Sequence, residues 1–141
     1  MRSEPRYRTV LFDCDSTLSA IEGVDELARD HPEVHALTEA AMRGEVPLEE
    51  VYGRRLEIVR PSRAAVEALG RRYVETMVPG ARETVRALRE AGVEVRVISG
   101  GLRPAVVVLA RELGIADDDV AAVDIYFSAD GAYAGYDAAS P

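Results

Sequence analysis

The sequence predicts an α/β fold: a parallel sheet flanked by helices, four helices inserted after the first strand, and a β-hairpin near the end. Three observations predict it. A short apolar run, Val10-Leu11-Phe12, stops at two acids one residue apart, Asp13 and Asp15. From residue 19 to residue 77 the pattern is helical, broken at prolines and glycines. Over 93–113 a second strand, a Ser-Gly-Gly loop and a helix follow, and a further strand and a turn signal lie behind them. One helix suffices to cross between parallel strands, so four in succession read as a lid.

Each element has a local cause. Residues 1–6 are polar, contain Pro5, and are expected to fray. The first strand is 9–12. A short helix over 22–29 stops near His31-Pro32, because a residue before proline disfavours helix. The next, 34–43, has Val34, Leu37, Ala41 and Met42 at helical spacing and Gly44 as its stop. A third, 48–59, lies between Pro47 and Pro61, and Ser62 caps a fourth that runs to about residue 77. Pro79-Gly80 marks the return to the core, where 81–91 is helical and closed by Gly92. The second strand, 93–98, ends in a tight loop at Ser99-Gly100-Gly101, and Pro104 opens a helix over 105–113. The third strand is expected over 120–127, with a turn at 129–132 and a return arm at 133–136.

The 141 residues suit one domain with an inserted subdomain: a core of 1–18 and 78–141, and a helical cap of 19–77. A hydrophobic fraction of 48% with 30% charged residues is that of an ordinary globular protein. The net charge of −8 argues against a nucleic-acid binder, which needs a basic face for phosphates. No apolar stretch is long enough for a membrane span or a signal peptide, so the expected location is cytoplasmic. The one cysteine, Cys14, rules out an intrachain disulfide framework; alternation turns it away from its acidic neighbours and into the core. Asp117-Asp118-Asp119 reads as a solvated acidic loop.

The chemistry concentrates at the end of the first strand. Ligands in open α/β sheets bind at the C-terminal ends of strands. Asp13 and Asp15 can converge there as the chain opens into a loop, and two adjacent carboxylates repel unless a cation or a shared proton relieves them. Mg2+ takes oxygen ligands of this kind. The same residues also suit a strand end followed by a turn and a helix cap. The strand, glycine loop and helix around Ser99 form an arrangement that presents backbone N–H groups to a phosphate, although glycine there is also ordinary turn chemistry.

FDCDSTL resembles the first motif of the haloacid-dehalogenase superfamily of phosphohydrolases, most closely its phosphoserine-phosphatase branch. The stretch MVPGARETVRALREAGVEVRVISGGL resembles that branch's second-motif region, and the match extends over nearly the whole chain. The resemblance implies a three-layer Rossmann-like core and Mg2+-dependent hydrolysis of a small phosphorylated metabolite, L-phosphoserine in serine biosynthesis. It implies Asp13 as nucleophile and Asp15 as general acid/base, both at the metal, with Thr17 orienting the loop. Ser99 and the backbone of Gly100 would bind the phosphoryl group. Glu22 would meet the substrate amino group and Arg55, with Arg54 its rival in register, the substrate carboxylate. Read without the resemblance, Glu22 is a helix-start acid and Arg55 a solvated helix-face charge.

Two departures from the family pattern stand out. Leu48 occupies a position where the family tends to carry an aromatic residue. The family's third and fourth motifs, which supply a lysine and a further metal aspartate, are absent, as is the strand expected beyond the first. That edge would be open to self-association or to a complementing C-terminal segment, and the expectation is that the 141 residues are a piece of a longer enzyme or are completed by a second chain or domain. The 141 residues alone are therefore expected to bind Mg2+ poorly and to turn over slowly. The alternatives are the same chemistry on another small phosphate ester, or a non-catalytic module that binds phosphate or a partner.

Overall fold

The computed structural model describes residues 4–141; residues 1–3 of the polar N-terminal stretch lie outside the described residues. Strand β1 (Thr9–Phe12) is followed by helices α1 (Gly23–Leu27), α2 (Pro32–Met42), α3 (Leu48–Val59) and α4 (Arg63–Glu75). Then come α5 (Ala81–Glu90), β2 (Glu94–Leu102), α6 (Arg103–Glu112), β3 (Val120–Val123), and the hairpin β4 (Ile125–Phe127) and β5 (Tyr133–Tyr136). The sheet order is β1-β2-β3, all parallel, with Phe12 opposite Val97 and Val97 opposite Val120. The predicted class is the observed one: a parallel sheet with helices, a four-helix insertion after the first strand, and an antiparallel hairpin behind.

Several boundaries differ from expectation, α6 beginning at Arg103 and α4 ending at Glu75 among them, and four of the differences have a plain physical reason. Helix α1 is shorter than 22–29, because Glu22 is its N-cap and the chain turns at Ala28. Helix α2 begins at Pro32, whose missing N–H costs nothing in a first turn. The Ser-Gly-Gly segment is not a loop closing the strand but part of β2, which runs on to Leu102 through a register shift between Ile98 and Leu102. Such a shift bends a strand and re-aims its side chains. The expected strand over 120–127 breaks at Asp124, whose N–H donates to Ser140 Oγ at 3.1 Å while its carbonyl accepts from Asp137 N at 2.9 Å. Its backbone is thus taken by the C-terminal segment, and the chain changes sheet there. Ser62 caps α4 as expected, accepting from Ala65 N at 3.1 Å.

Strands added in one direction by crossovers of one hand carry their connecting helices on one face. Along β2, Val95, Val97 and Ser99 are buried while Glu94, Arg96 and Ile98 are exposed. The covered face carries the core, which includes Val85 of α5, Val106 and Leu109 of α6, and Val66, Leu69 and Tyr73 of α4. On the opposite face Leu11 is 60% and Ile98 46% exposed. That face, where the third layer of such a fold sits, is open among the described residues. Beyond β1 no strand pairs among the described residues.

The inserted helices leave and rejoin the core side by side. Ala20 N donates to Thr76 O and Val78 N to Leu18 O, each at 2.9 Å. Ser19, fully buried, donates to Tyr73 O at 3.1 Å and shares a 2.9 Å bond with Thr76 Oγ1. Helix α4 packs closely on α6 at Gly70, where an added Cβ would lie 2.8 Å from Val108 Cγ2.

Candidate active site

The loop after β1 is a tight turn in which Cys14 O accepts from the backbone N–H groups of Thr17, Leu18 and Ser19. Ser16 takes a left-handed conformation, φ 53°, uncommon outside glycine. The turn drives Cys14 inward, fully buried, where burial raises its thiol pKa far above the ordinary range. Cys14 is therefore a core residue and no nucleophile. Asp13 stays exposed, its Oδ1 accepting from Cys14 N at 2.6 Å. Thr17, the expected loop-orienting residue, is exposed too and enters the turn through its backbone.

Asp15 is held most firmly. Its Oδ1 accepts from Gly23 N at 2.9 Å and from the Tyr73 hydroxyl at 2.5 Å. Burial raises the Asp15 pKa, the two hydrogen bonds oppose that, and the charges of Glu22 and Asp13 reinforce it. Tyr73 is itself fully buried, and burial with the Asp15 charge keeps its hydroxyl protonated, a donor. Gly23 leaves the necessary space: an added Cβ there would lie 2.1 Å from the Tyr73 hydroxyl oxygen.

The ends of β1 and β2 meet beside Gly101. A Cβ on Gly101 would lie 3.0 Å from Asp15 Oδ2 and 3.1 Å from Ser99 Oγ, so a larger residue would intrude between the carboxylate and the hydroxyl. Ser99 is buried and its Oγ accepts from Gly101 N at 2.9 Å, which orients it. Gly100 is exposed at the same strand end. Asp13 lies one residue beyond Phe12, and Phe12 pairs with Val97, so Asp13 and Ser99 leave adjacent strands at the same end of the sheet.

Of the residues expected in the lid, Glu22 stands at the N-cap position of α1 without a side-chain capping bond, and its carboxylate accepts from Ser16 Oγ at 2.5 Å. Arg55 turns inward, its side chain 18% exposed and its Nη2 bonded to Asp25 of α1. Arg54 points outward, 56% exposed, and pairs with Glu50. Leu48 is exposed. Asp117 pairs with Arg111 and Asp119 with Arg96, so two of the three acids of the run form surface ion pairs. The contributions of Tyr73, Gly23 and Gly101 were not read from the sequence. Helical spacing turns Tyr73 inward, but nothing local says what its hydroxyl meets.

Asp13 and, as the family resemblance implies, the main-chain carbonyl of Asp15 would be the hard oxygen donors of this loop, and Mg2+ typically pairs one or two carboxylates with several waters, so such a donor set fits that ion. Among the described residues no group of three His, Cys, Asp or Glu side chains converges as a complete metal cage. No helix among them is long and apolar enough to cross a membrane.

Comparison with known proteins gives a consistent family. The haloacid dehalogenase-like hydrolase family matches residues 7–136. Phosphoserine phosphatase of Bos taurus is 39% identical over 135 residues, covering 94% of this chain and 60% of that protein. A solved phospho-aspartyl intermediate analogue of phosphoserine phosphatase superposes with a TM-score of 0.69 at 31% identity, over 92% of this chain and 61% of the other. A substrate-bound phosphoserine phosphatase complex gives 0.73 at 31% identity, over 94% and 63%. The chain thus spans about 60% of the length of the curated relative.

Proposed function

The chain belongs to the haloacid dehalogenase-like hydrolases, and on that premise we propose that it carries the nucleophile half of a Mg2+-dependent phosphomonoesterase acting on L-phosphoserine in the cytoplasm, in serine biosynthesis. The observation that supports this best is the meeting of the Asp15 carboxylate and the Ser99 hydroxyl beside Gly101. A half-buried acid and an oriented hydroxyl at the C-terminal ends of two parallel strands suit phosphate-ester chemistry.

In this reading Asp13 Oδ attacks phosphorus and forms an aspartyl-phosphate as the bond to the seryl oxygen breaks. Asp15, its proton favoured by burial, gives that proton to the leaving oxygen. Water then attacks the phosphoryl group, Asp15 takes the water's proton, and inorganic phosphate and free Asp13 result. One hard displacement thereby becomes two easier ones. Tyr73 and Gly23 aim the Asp15 carboxyl, and Ser99 with the backbone of Gly100 holds the phosphoryl oxygens. Mg2+, held by Asp13 and Asp15, would offset the negative charge gathered at the phosphoryl group.

Residues 19–77 would act as the cap over a core of 1–18 and 78–141, with α4 seating it. The paired backbone bonds at 18–20 and 76–78 suit a hinge where the chain leaves and returns. Within the cap, Arg55, the inward arginine, would meet the substrate carboxylate, and Glu22 the substrate amine. The bare sheet face and the edge of β1, which pairs with no strand among the described residues, are where the expected partner would dock, either a complementing segment or a second copy. Calorimetric titration with beryllofluoride and Mg2+ tests the chemistry: binding is expected in the parent protein and absent in Asp13→Asn. Binding unchanged by that substitution, or absent from the parent, would remove the catalytic reading.

A further inference from the structure

Between α3, the end of β2 and the C-terminal segment lies a cavity of about 210 Å³, lined by Glu49, Tyr52, Gly100, Tyr136 and Asp137 among others. It carries two carboxylates and no Arg, Lys or His among the described residues. Asp137 is fixed at both ends: its N–H donates to Asp124 O at 2.9 Å, and its Oδ1 accepts from Ala139 N at 2.9 Å. Glu49 stands in the first turn of α3. Tyr52 and Tyr136 add two rings, with centroids 5.7 Å apart and planes tilted by 58°. The Tyr52 hydroxyl is buried without a partner among the described residues, so it is free to turn its lone pairs toward a ligand. At Gly100 the wall is open, since nothing lies within 4 Å of where a Cβ would stand.

Carboxylates with no cation beside them and aromatic rings set at an angle form the lining that attracts a quaternary ammonium group. The volume lies below the range of about 300–1,000 Å³ for drug-sized ligands and suits a head group of a few heavy atoms. The cavity also reaches Gly100, next to the Ser99 expected to hold a phosphoryl group. The Asp15 charge adds to burial in raising the Tyr52 pKa, so that hydroxyl lies within the field of the proposed acid. Glu22 is not among the lining residues, so the cavity is separate from the position assigned to the amine of phosphoserine. We propose that this cavity is a subsite for the cationic head of a phosphorylated quaternary amino alcohol, with Glu49 and Asp137 supplying the charge and Tyr52 and Tyr136 the aromatic wall. This rests on the phosphomonoesterase reading and adds to it a further class of substrate, in which a permanent cation and no carboxylate accompanies the phosphate.

Titration calorimetry with Mg2+ present compares phosphocholine with neohexyl phosphate, which has the same shape and no positive charge. The parent protein is expected to bind phosphocholine about fivefold to thirtyfold more tightly, as a cation against partly desolvated aromatic rings predicts. The double variant Glu49→Gln, Asp137→Asn keeps the size of both side chains and should lose that preference while binding neohexyl phosphate as the parent does. A charge-matched variant on α5, Glu83→Gln with Glu90→Gln, should keep the preference, which separates a local site from the general charge of the protein. Equal binding of the two esters by the parent, or a preference that survives in Glu49→Gln, Asp137→Asn, would overturn this inference alone. So would a parent protein that binds beryllofluoride with Mg2+ but neither ester. Failure to bind beryllofluoride would overturn the phosphomonoesterase reading, and this one with it.

Discussion

Asp15 is a carboxylate under opposing influences, and their balance is measurable. Burial raises its pKa against the hydrogen bonds from Tyr73 and Gly23. With the folded pKa above the unfolded one, there is a pH interval in which the folded state keeps a proton that the unfolded chain has lost. Stability from this group is therefore highest below the interval and falls as the pH rises through it, starting from an unfolded value of about 4. Asp15→Asn keeps an acceptor for both donors and removes the charge. It is expected to withstand more urea than the parent at neutral pH without added metal, with the difference closing below about pH 4. A difference that does not vary with pH would contradict the account. Asp13 and Asp15 were legible in the sequence as a pair at a strand end. Their division into an exposed and a half-buried carboxylate was not, because it depends on Tyr73, fifty-eight residues away from Asp15.

Helix α4 joins the inserted segment to the core and lies close against α6 at Gly70. Glycine in a helix is ordinarily a cost of about 1 kcal/mol relative to alanine. Here it permits the approach, since an added Cβ would stand 2.8 Å from Val108 Cγ2 and 3.4 Å from the Ala105 Cα. Gly70→Val should therefore destabilise the protein by about 1–3 kcal/mol, the usual cost of overpacking, and lower the urea midpoint. A neutral or stabilising effect would mean that the two helices can separate freely. Helix periodicity made α2, α3 and α4 readable, and Ser62 marked the start of α4 correctly. The extension of β2 through Ser99-Gly100-Gly101 was hidden for a local reason: glycine suits a turn and a bulged strand equally, and only pairing with β3 distinguishes them.

The whole molecule is asymmetric about its sheet. One face carries α5, α6 and, on α6, α4; the other leaves Leu11 and Ile98 exposed beside Glu94 and Arg96. Parallel sheets are ordinarily covered on both faces, and an exposed apolar face beside an unpaired strand edge favours association. Sedimentation velocity should therefore show concentration-dependent association of the 141 residues, weakened by the double substitution Leu11→Lys and Ile98→Thr. A monomer at all concentrations would show that this face needs no cover.

The succession of elements, the placing of two acids at the end of the first strand, the inserted helices and the hairpin could all be read from the chain alone. Each depends on causes acting within a few residues: alternation, helical spacing, caps, and the backbone limits of proline and glycine. Only the tertiary structure decided that Arg55 and not Arg54 turns inward, that Asp15 is gripped by Tyr73, that Gly101 sits between Asp15 and Ser99, and that the chain changes sheets at Asp124. Those outcomes depend on how segments far apart in sequence align when packed, and neither periodicity nor propensity carries that information.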